Sequence, residues 1–325
     1  MQVFRGIPER AAHASVLTIG NFDGVHRGHQ ALLAMLVAKA RDLGLPAVVM
    51  TFEPHPREYF TPDTAPPRLA SLREKLLLLA AAGVDTTYVC RFDARFAALT
   101  AQAFIDRVLV QGLGLRHLII GDDFRFGARR QGDFRLLVEA GVARGFPVEA
   151  MPTLEADGLR VSSSAVRAAL QEGDLAHAAE LLGRPYSIAG KVVRGQRLGR
   201  RLGFPTANIQ LKHRKPALSG VFAVAVEGLA ASLIPGVANL GVRPSVNTVA
   251  RPVLEVHAFD WTQECYDAHL RVHFLERLRS ERKFDSLPAL TAQIATDAQQ
   301  AREWFAAHPL DSTPIANRSR KDHHG

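Results

Sequence analysis

Apolar and polar positions follow two different rhythms along the chain. From residue 1 to 182, short apolar runs take turns with stretches of helical periodicity. Val16–Gly20, Ala47–Phe52, Thr86–Arg91, His117–Gly121 and Val148–Met151 predict buried strands. Gln30–Leu43, Leu72–Ala82, Ala101–Gln111 and Gly132–Arg144 predict the helices between them. Ser164–Glu172 and Asp174–Leu182 add two more helices, with Asp174 suited to cap the second. Strands separated by helices argue for a parallel, Rossmann-like α/β sheet with right-handed crossovers. After Leu182 the rhythm changes, across a plausible linker at Gly183-Arg184-Pro185. Tyr186–Val193, Val221–Val226, Ile234–Leu240, Val253–Phe259 and Leu270–Phe274 are short, β-prone and separated by Gly, Pro and Asn. They predict a small antiparallel β-barrel, closed off by a helix over Leu287–Phe305. The expected organisation is an α/β domain at 1–182, a barrel domain at 183–310, and a charged, disordered basic tail at 311–325.

Composition narrows the class. A chain of 325 residues suggests about two domains at roughly 150 residues each. With 47% apolar and 22% charged residues it is neither disordered, collagenous nor a coiled coil. The longest apolar runs, Ala31–Ala38 and Leu76–Ala82, fall far short of the ~18 residues of a membrane span. The first residues lack the apolar core and small-residue cleavage site of a signal peptide. Two cysteines, Cys90 and Cys265, make neither a disulfide framework nor a zinc quartet, so a reducing cytoplasm is expected. Forty Lys and Arg against 32 Asp and Glu give a net charge of +8, which favours anionic partners such as nucleotides. The excess is too diffuse to mark a nucleic-acid interface, and no RNP-like aromatic motif accompanies it.

The first candidate site is Gly20-Asn21-Phe22-Asp23-Gly24-Val25-His26-Arg27-Gly28-His29, between the first strand and the first helix. Ligands of open parallel sheets bind at the carboxyl ends of the strands. Gly20, Gly24 and Gly28 let the backbone approach a ligand. His29 falls at the helix start, where free N–H groups and the dipole favour phosphate. Two imidazoles supply donors to phosphoryl oxygens, and a protonated one adds charge. A zinc pair would need further ligands, and no suitable Cys or Asp cluster is evident. The dinucleotide fingerprint G-x-G-x-x-G is absent.

The His26-Arg27-Gly28-His29 element resembles the His-x-Gly-His signature of the nucleotidylyltransferase superfamily. Phe52-Glu53-Pro54-His55-Pro56, Gly121-Asp122-Asp123-Phe124-Arg125-Phe126-Gly127 and Val161-Ser162-Ser163-Ser164-Ala165-Val166-Arg167 narrow the resemblance. They are similar to the FMN adenylyltransferase module of bacterial bifunctional riboflavin kinase/FAD synthetases. The resemblance implies ATP binding by Gly20, Asn21, Phe22, Asp23, Gly24, His26, Gly28, His29, Ser162, Ser163, Ser164 and Arg167. It implies flavin binding by His55, Asp123, Phe124 and Phe126. Chemically, the serines can equally cap a helix, and one of the two phenylalanines can equally serve the core.

The second candidate site is Gly190–Asn208, GKVVRGQRLGRRLGFPTAN, whose glycines and cations suit a polyphosphate. It lacks the P-loop pattern. A basic nucleic-acid hairpin is the alternative, but stacked aromatics are lacking nearby. Pro205 biases Phe204 to an extended conformation. Thr206 and Asn208, two residues apart, then point the same way and can offer two neutral oxygens to Mg²⁺. Gly203-Phe204-Pro205-Thr206-Ala207-Asn208, Gly220–Val224, Gly236–Ser245, Leu254–His257 and Arg279-x-x-x-Lys283-Phe284 resemble the riboflavin kinase module. That resemblance implies ATP binding by Gly195, Arg197, Gly199, Gly203, Phe204, Pro205, Thr206 and Asn208, and makes Glu255 the catalytic base. A carboxylate is sensible there, because the riboflavin 5′-hydroxyl must lose a proton as it attacks the γ-phosphate. Two departures stand out. Ser245 replaces the family's usual threonine, and Glu264-Cys265-Tyr266-Asp267 replaces an Asp-Leu-Tyr-Gly turn. The expected function is two ATP-dependent steps with Mg²⁺, riboflavin to FMN and FMN to FAD, with His26, His29 and Glu255 catalytic and small molecules as the partners.

Overall fold

The computed structural model describes residues 1–156, 158–195, 202–211, 215–243 and 251–310. Arg197, Gly199, Ser245 and the expected tail at 311–325 lie outside them. The chain divides into two compact units, Met1–Pro66 with Leu72–Ser163, and Pro67–Ser71 with Ser164–Gly325.

In the first unit six strands form one sheet in the order β1-β4-β3-β2-β5-β6. They are β1 (Gln2–Arg5), β2 (Ser15–Ile19), β3 (Ala47–Glu53), β4 (Thr86–Arg91), β5 (Leu115–Gly121) and β6 (Val148–Met151). Every pairing within this sheet is parallel, and β7 (Glu155–Ala156) and β8 (Leu159–Arg160) form a separate antiparallel pair. Helices α1 (Arg27–Leu43), α2 (Pro56–Phe60), α3 (Leu72–Ala81), α4 (Ala94–Ala97), α5 (Ala101–Ala103) and α6 (Phe134–Arg144) connect them. The expected helix over Ala101–Gln111 continues from α5 with π winding from Phe104 to Gly112. All of β2 is buried, as a strand covered on both faces must be. Leu33, Leu36 and Ala40 of α1 pack over one face with Val16, Val49 and Ile119. Phe104, Ile105 and Leu109 cover the other with Leu17, Met50 and Leu118. From β2 the chain winds one way to β3 and β4, and β5 and β6 lie on the other side of β2. The switch point therefore lies between β2 and β5, and the loop leaving β2 stands at the crevice where such sheets receive ligands.

The second unit begins within α7 (Ser163–Glu172) and continues with α8 (Leu175–Leu182), which Asp174 caps through the His177 N–H. A closed barrel follows in the order β10-β13-β12-β11-β14-β9. Its strands are β9 (Ser187–Val193), β10 (Ala207–Ile209), β11 (Gly220–Glu227), β12 (Ile234–Arg243), β13 (Arg251–Ala258) and β14 (His269–Arg279). All its pairings are antiparallel. Helix α9 (Leu287–Ala307) starts at the N-cap Ser286 and packs Ala298 and Ala301 against Val221, Val237 and Phe259 on the outside of the barrel. A bidentate pair fixes that contact: Arg279 donates from Nε and Nη2 to the buried Asp297 carboxylate at 2.8 and 2.6 Å. The expected strands are all present, and closure needs the three-residue β10 in addition.

Candidate functional site

The loop after β2 is held in a conformation that most side chains avoid. Phe22 and Val25 have φ of 49° and 41°, and Gly24 between them 80°. A β-branched residue in that region is an outlier, and such strain collects where a site demands a fixed backbone. Burial of Phe22 and Val25 in the core holds it there. The Ser163 hydroxyl donates to the Asp23 carbonyl at 2.9 Å. The Thr51 hydroxyl donates to the Asn21 carbonyl at 3.3 Å.

This loop presents the two imidazoles to each other. The rings of His26 and His29 stack at 3.7 Å. His26 is the N-cap of α1, and its Nδ1 accepts from the His29 backbone N–H at 3.4 Å. A neutral His26 must then carry its proton on Nε2, which becomes a donor. Burial first, then the charges of His26 and Lys75, hold the His29 pKa well below its ordinary value. His29 is thus favoured as a neutral donor–acceptor. Its Nδ1 is buried without a hydrogen-bond partner, as is the Asn21 Oδ1. Orphaned polar atoms are rare enough to mark a place meant for a ligand. Gly28 allows the stack, because a Cβ there would lie 3.2 Å from the His26 ring.

The remaining adenylylation residues are spread along the same sheet edge or lie in the second unit. His55 follows β3 and caps α2, its Nδ1 accepting from the Arg57 N–H at 3.1 Å. Asp123, just past β5, pairs with Arg160 at 2.6 Å. Phe124 and Phe126 stack at 5.8 Å, with Phe126 buried in the core and Phe124 only partly covered. Tyr59 and Phe60 of α2 are exposed and meet Phe92 edge-on, an aromatic cluster that sequence reasoning missed. Ser164 and Arg167 belong to the second unit, where the Arg167 Nε donates to the Pro67 carbonyl at 2.6 Å.

In the barrel the site is written in strand register. Asn208 of β10 stands opposite Glu255 of β13, which stands opposite Asn239 of β12. Three polar side chains thus lie in one row on one face. Leu254 and Val256 point into the barrel and are buried, so Glu255 and His257 face outward. There Thr206, Asn239, Glu255, His257 and Arg279 line an open cleft under Ile294 and Asp297 of α9. A second cleft, lined by Pro205, Thr206, Trp261, Cys265 and Tyr266, shares Thr206 with the first. The His257 ring is tied to the Pro205 carbonyl at 2.8 Å. Gly195 leaves room beside Asn208, since a Cβ there would come within 2.7 Å of its Oδ1 and 2.5 Å of its Nδ2. A hydroxyl, a carboxamide and a carboxylate are hard oxygen donors, which suits Mg²⁺ rather than zinc. No cluster of three or more His, Cys, Asp or Glu occurs among the described residues.

Comparison with known proteins matches both halves. The FAD synthetase family model covers residues 9–165 and the riboflavin kinase model residues 182–305. Bifunctional riboflavin kinase/FMN adenylyltransferase from Escherichia coli (strain K12) is 50% identical over 308 residues, 94% of this chain and 98% of that protein. This chain belongs to the bifunctional riboflavin kinase/FMN adenylyltransferase family. Its relative from Pseudomonas fluorescens is 51% identical over 304 residues, covering 93% and 97% of the two chains. A crystal structure described as a macrolide-efflux protein from Streptococcus pneumoniae is also similar, with a TM-score of 0.79 and 29% identity over 94% of this chain and 100% of that one. No helix among the described residues is long and apolar enough to cross a membrane.

One of the two expected departures has a physical answer. Asp267, where the family usually has glycine, adopts φ 66°. Aspartate tolerates that region better than most side chains. Its N–H bonds the Val192 carbonyl at 3.1 Å and its carboxylate pairs with Lys191 at 2.7 Å. The turn is therefore kept without its glycine.

Proposed function

We propose that the two activities in the family's name are divided between the two units, with Glu255 working in the barrel and His26 and His29 in the α/β unit. The observation that carries this reading is that each set of groups sits in its own compact unit beside its own phosphate-suited element.

In the barrel, riboflavin occupies the cavity under α9, and the Glu255 carboxylate takes the proton of its 5′-hydroxyl. The freed oxygen attacks the γ-phosphorus of ATP, the bond to the β-phosphate oxygen breaks, and FMN and ADP result. Asn208 and Asn239 flank the carboxylate and orient it. Gly195, Gly203, Phe204 and Pro205 line the approach of the triphosphate, and Arg197 and Gly199, outside the described residues, are assigned to it by the family resemblance alone. Thr206 and Asn208 would hold Mg²⁺, which when bound neutralises phosphate charge.

In the α/β unit the FMN phosphate attacks the α-phosphorus of a second ATP and pyrophosphate leaves. The nucleophile is already an anion, so positioning and hydrogen-bond donation do the work. The N-terminus of α1, the His26 Nε2–H and His29 receive the phosphates. Ser162 and Ser163, at the end of the same unit, add donors. His55, Asp123 and Phe124, with the exposed ring of Phe60, form the flavin side. For Asp123 to accept from flavin, its pair with Arg160 has to open or be shared. Two free cysteines fit a reducing, cytoplasmic setting.

The test is incubation of the purified chain with riboflavin, ATP and Mg²⁺, separating FMN and FAD over time. FMN should rise first and FAD follow. Failure to form FMN from riboflavin, or FAD from supplied FMN, would refute the corresponding half.

A further inference from the structure

Lys75 lies in the middle of α3 and is only 3% exposed. A buried ammonium is expensive unless its surroundings use the charge. Its Nζ donates to the Thr51 Oγ1 at 3.4 Å. Thr51 is fully buried near the carboxyl end of β3, and its one proton goes to the Asn21 carbonyl. A continuous path therefore runs from the lysine, through a sheet hydroxyl, to the first residue of the strained loop. The same ammonium is close enough to act electrostatically on His29.

We propose that Lys75 is a positioning residue of the adenylyl-transfer site: braced through Thr51, it holds the Asn21–His29 loop and puts a fixed positive charge beside the imidazole pair. The proposal rests on the reading that this loop receives the ATP phosphates. With the charge supplied by lysine, the imidazoles are free to remain neutral, each with one donor and one acceptor. The titratable groups acting on His29 are His26, from its own loop, and Lys75, from α3, of which the lysine carries the fixed charge. The aromatic neighbour Phe22, at 5.0 Å, carries no charge.

The experiment uses the full chain, in which the kinase step reports on the barrel and a thermal melt on the folding of the α/β unit. In Lys75→Met, FMN formation should stay within about twofold, while KM for ATP in FAD formation rises roughly 10- to 100-fold, the range of one charge-assisted contact. Removing a nearby positive charge should also move the acid inflection of kcat/KM for FAD formation up towards neutrality. Lys75→Arg should recover part of the ATP affinity and return the inflection. An unchanged KM and an unmoved inflection in Lys75→Met would overturn the proposal. Should Lys75→Met lose both activities, the near-isosteric Thr51→Val decides: a several-fold rise in ATP KM with an unmoved inflection supports the brace, and wild-type constants refute it. His29→Ala separates this from the parent reading. If it leaves FAD formation intact, the loop is not the phosphate site at all. If it abolishes FAD formation while Lys75→Met does nothing, only the lysine's role falls.

Discussion

The two sites are fixed by opposite means. In the α/β unit the proposed reacting side chains ride on a loop whose backbone is strained at Phe22 and Val25 and held by side-chain hydrogen bonds that include those from Thr51, Ser163 and Gln30. In the barrel, Glu255 sits mid-strand, and ladders on both sides fix its row with Asn208 and Asn239. A loop can be rebuilt around a ligand and deformed by one substitution. A strand in a closed barrel cannot slip by one residue without turning every side chain over. The α/β site is therefore the more vulnerable to changes beyond the catalytic groups, and the barrel site to changes of the groups themselves.

Glu255→Ala should show the largest effect, a loss of about 10²–10⁴-fold in kcat for FMN formation, with FAD formation from supplied FMN unchanged. Assaying each step separately checks it, and parallel loss of both would erase the division of labour. His29→Ala should mirror this, lowering FAD formation by about 10²–10³-fold and sparing the kinase. Gly195→Ala is milder. Its new Cβ meets the Asn208 carboxamide, so the kinase should fall by roughly tenfold and stability by about 1–3 kcal/mol. A kinase of normal rate would show that the space beside Asn208 is not used. The smallest effect is in pH. The folded pKa of His29 lies below its unfolded value, so below about pH 6.5 the unfolded chain binds a proton that the folded one does not. Stability should drop as pH falls from about 6.5 towards the folded pKa, and His29→Gln should flatten that slope in thermal melts recorded across the range.

Much of this architecture was legible beforehand, and the omissions have local causes. The four inner strands of the sheet and the helices between them announce themselves because both faces of each strand are covered, leaving short apolar runs. The edge strand β1 is exposed at all four residues and leaves no such trace. Strand β10 is three residues long, with a polar Asn208 at its centre, and reads as part of the loop before it. The signature histidines and Glu255 are found by motif. Asn239 is not, since what brings it to Glu255 is cross-strand register, which no local pattern encodes. Lys75 is hidden for a different reason. It precedes a run of leucines, where a charged residue looks like the wet face of a helix, and only the fold shows it turned inward.

Thr206 borders both hollows of the barrel unit. Under the proposed assignment, nucleotide and vitamin each have a doorway of their own and meet across the width of one side chain. Neither must wait for the other to vacate before entering or departing. Enlarging that residue would thicken the partition and could separate reactants that are each still bound.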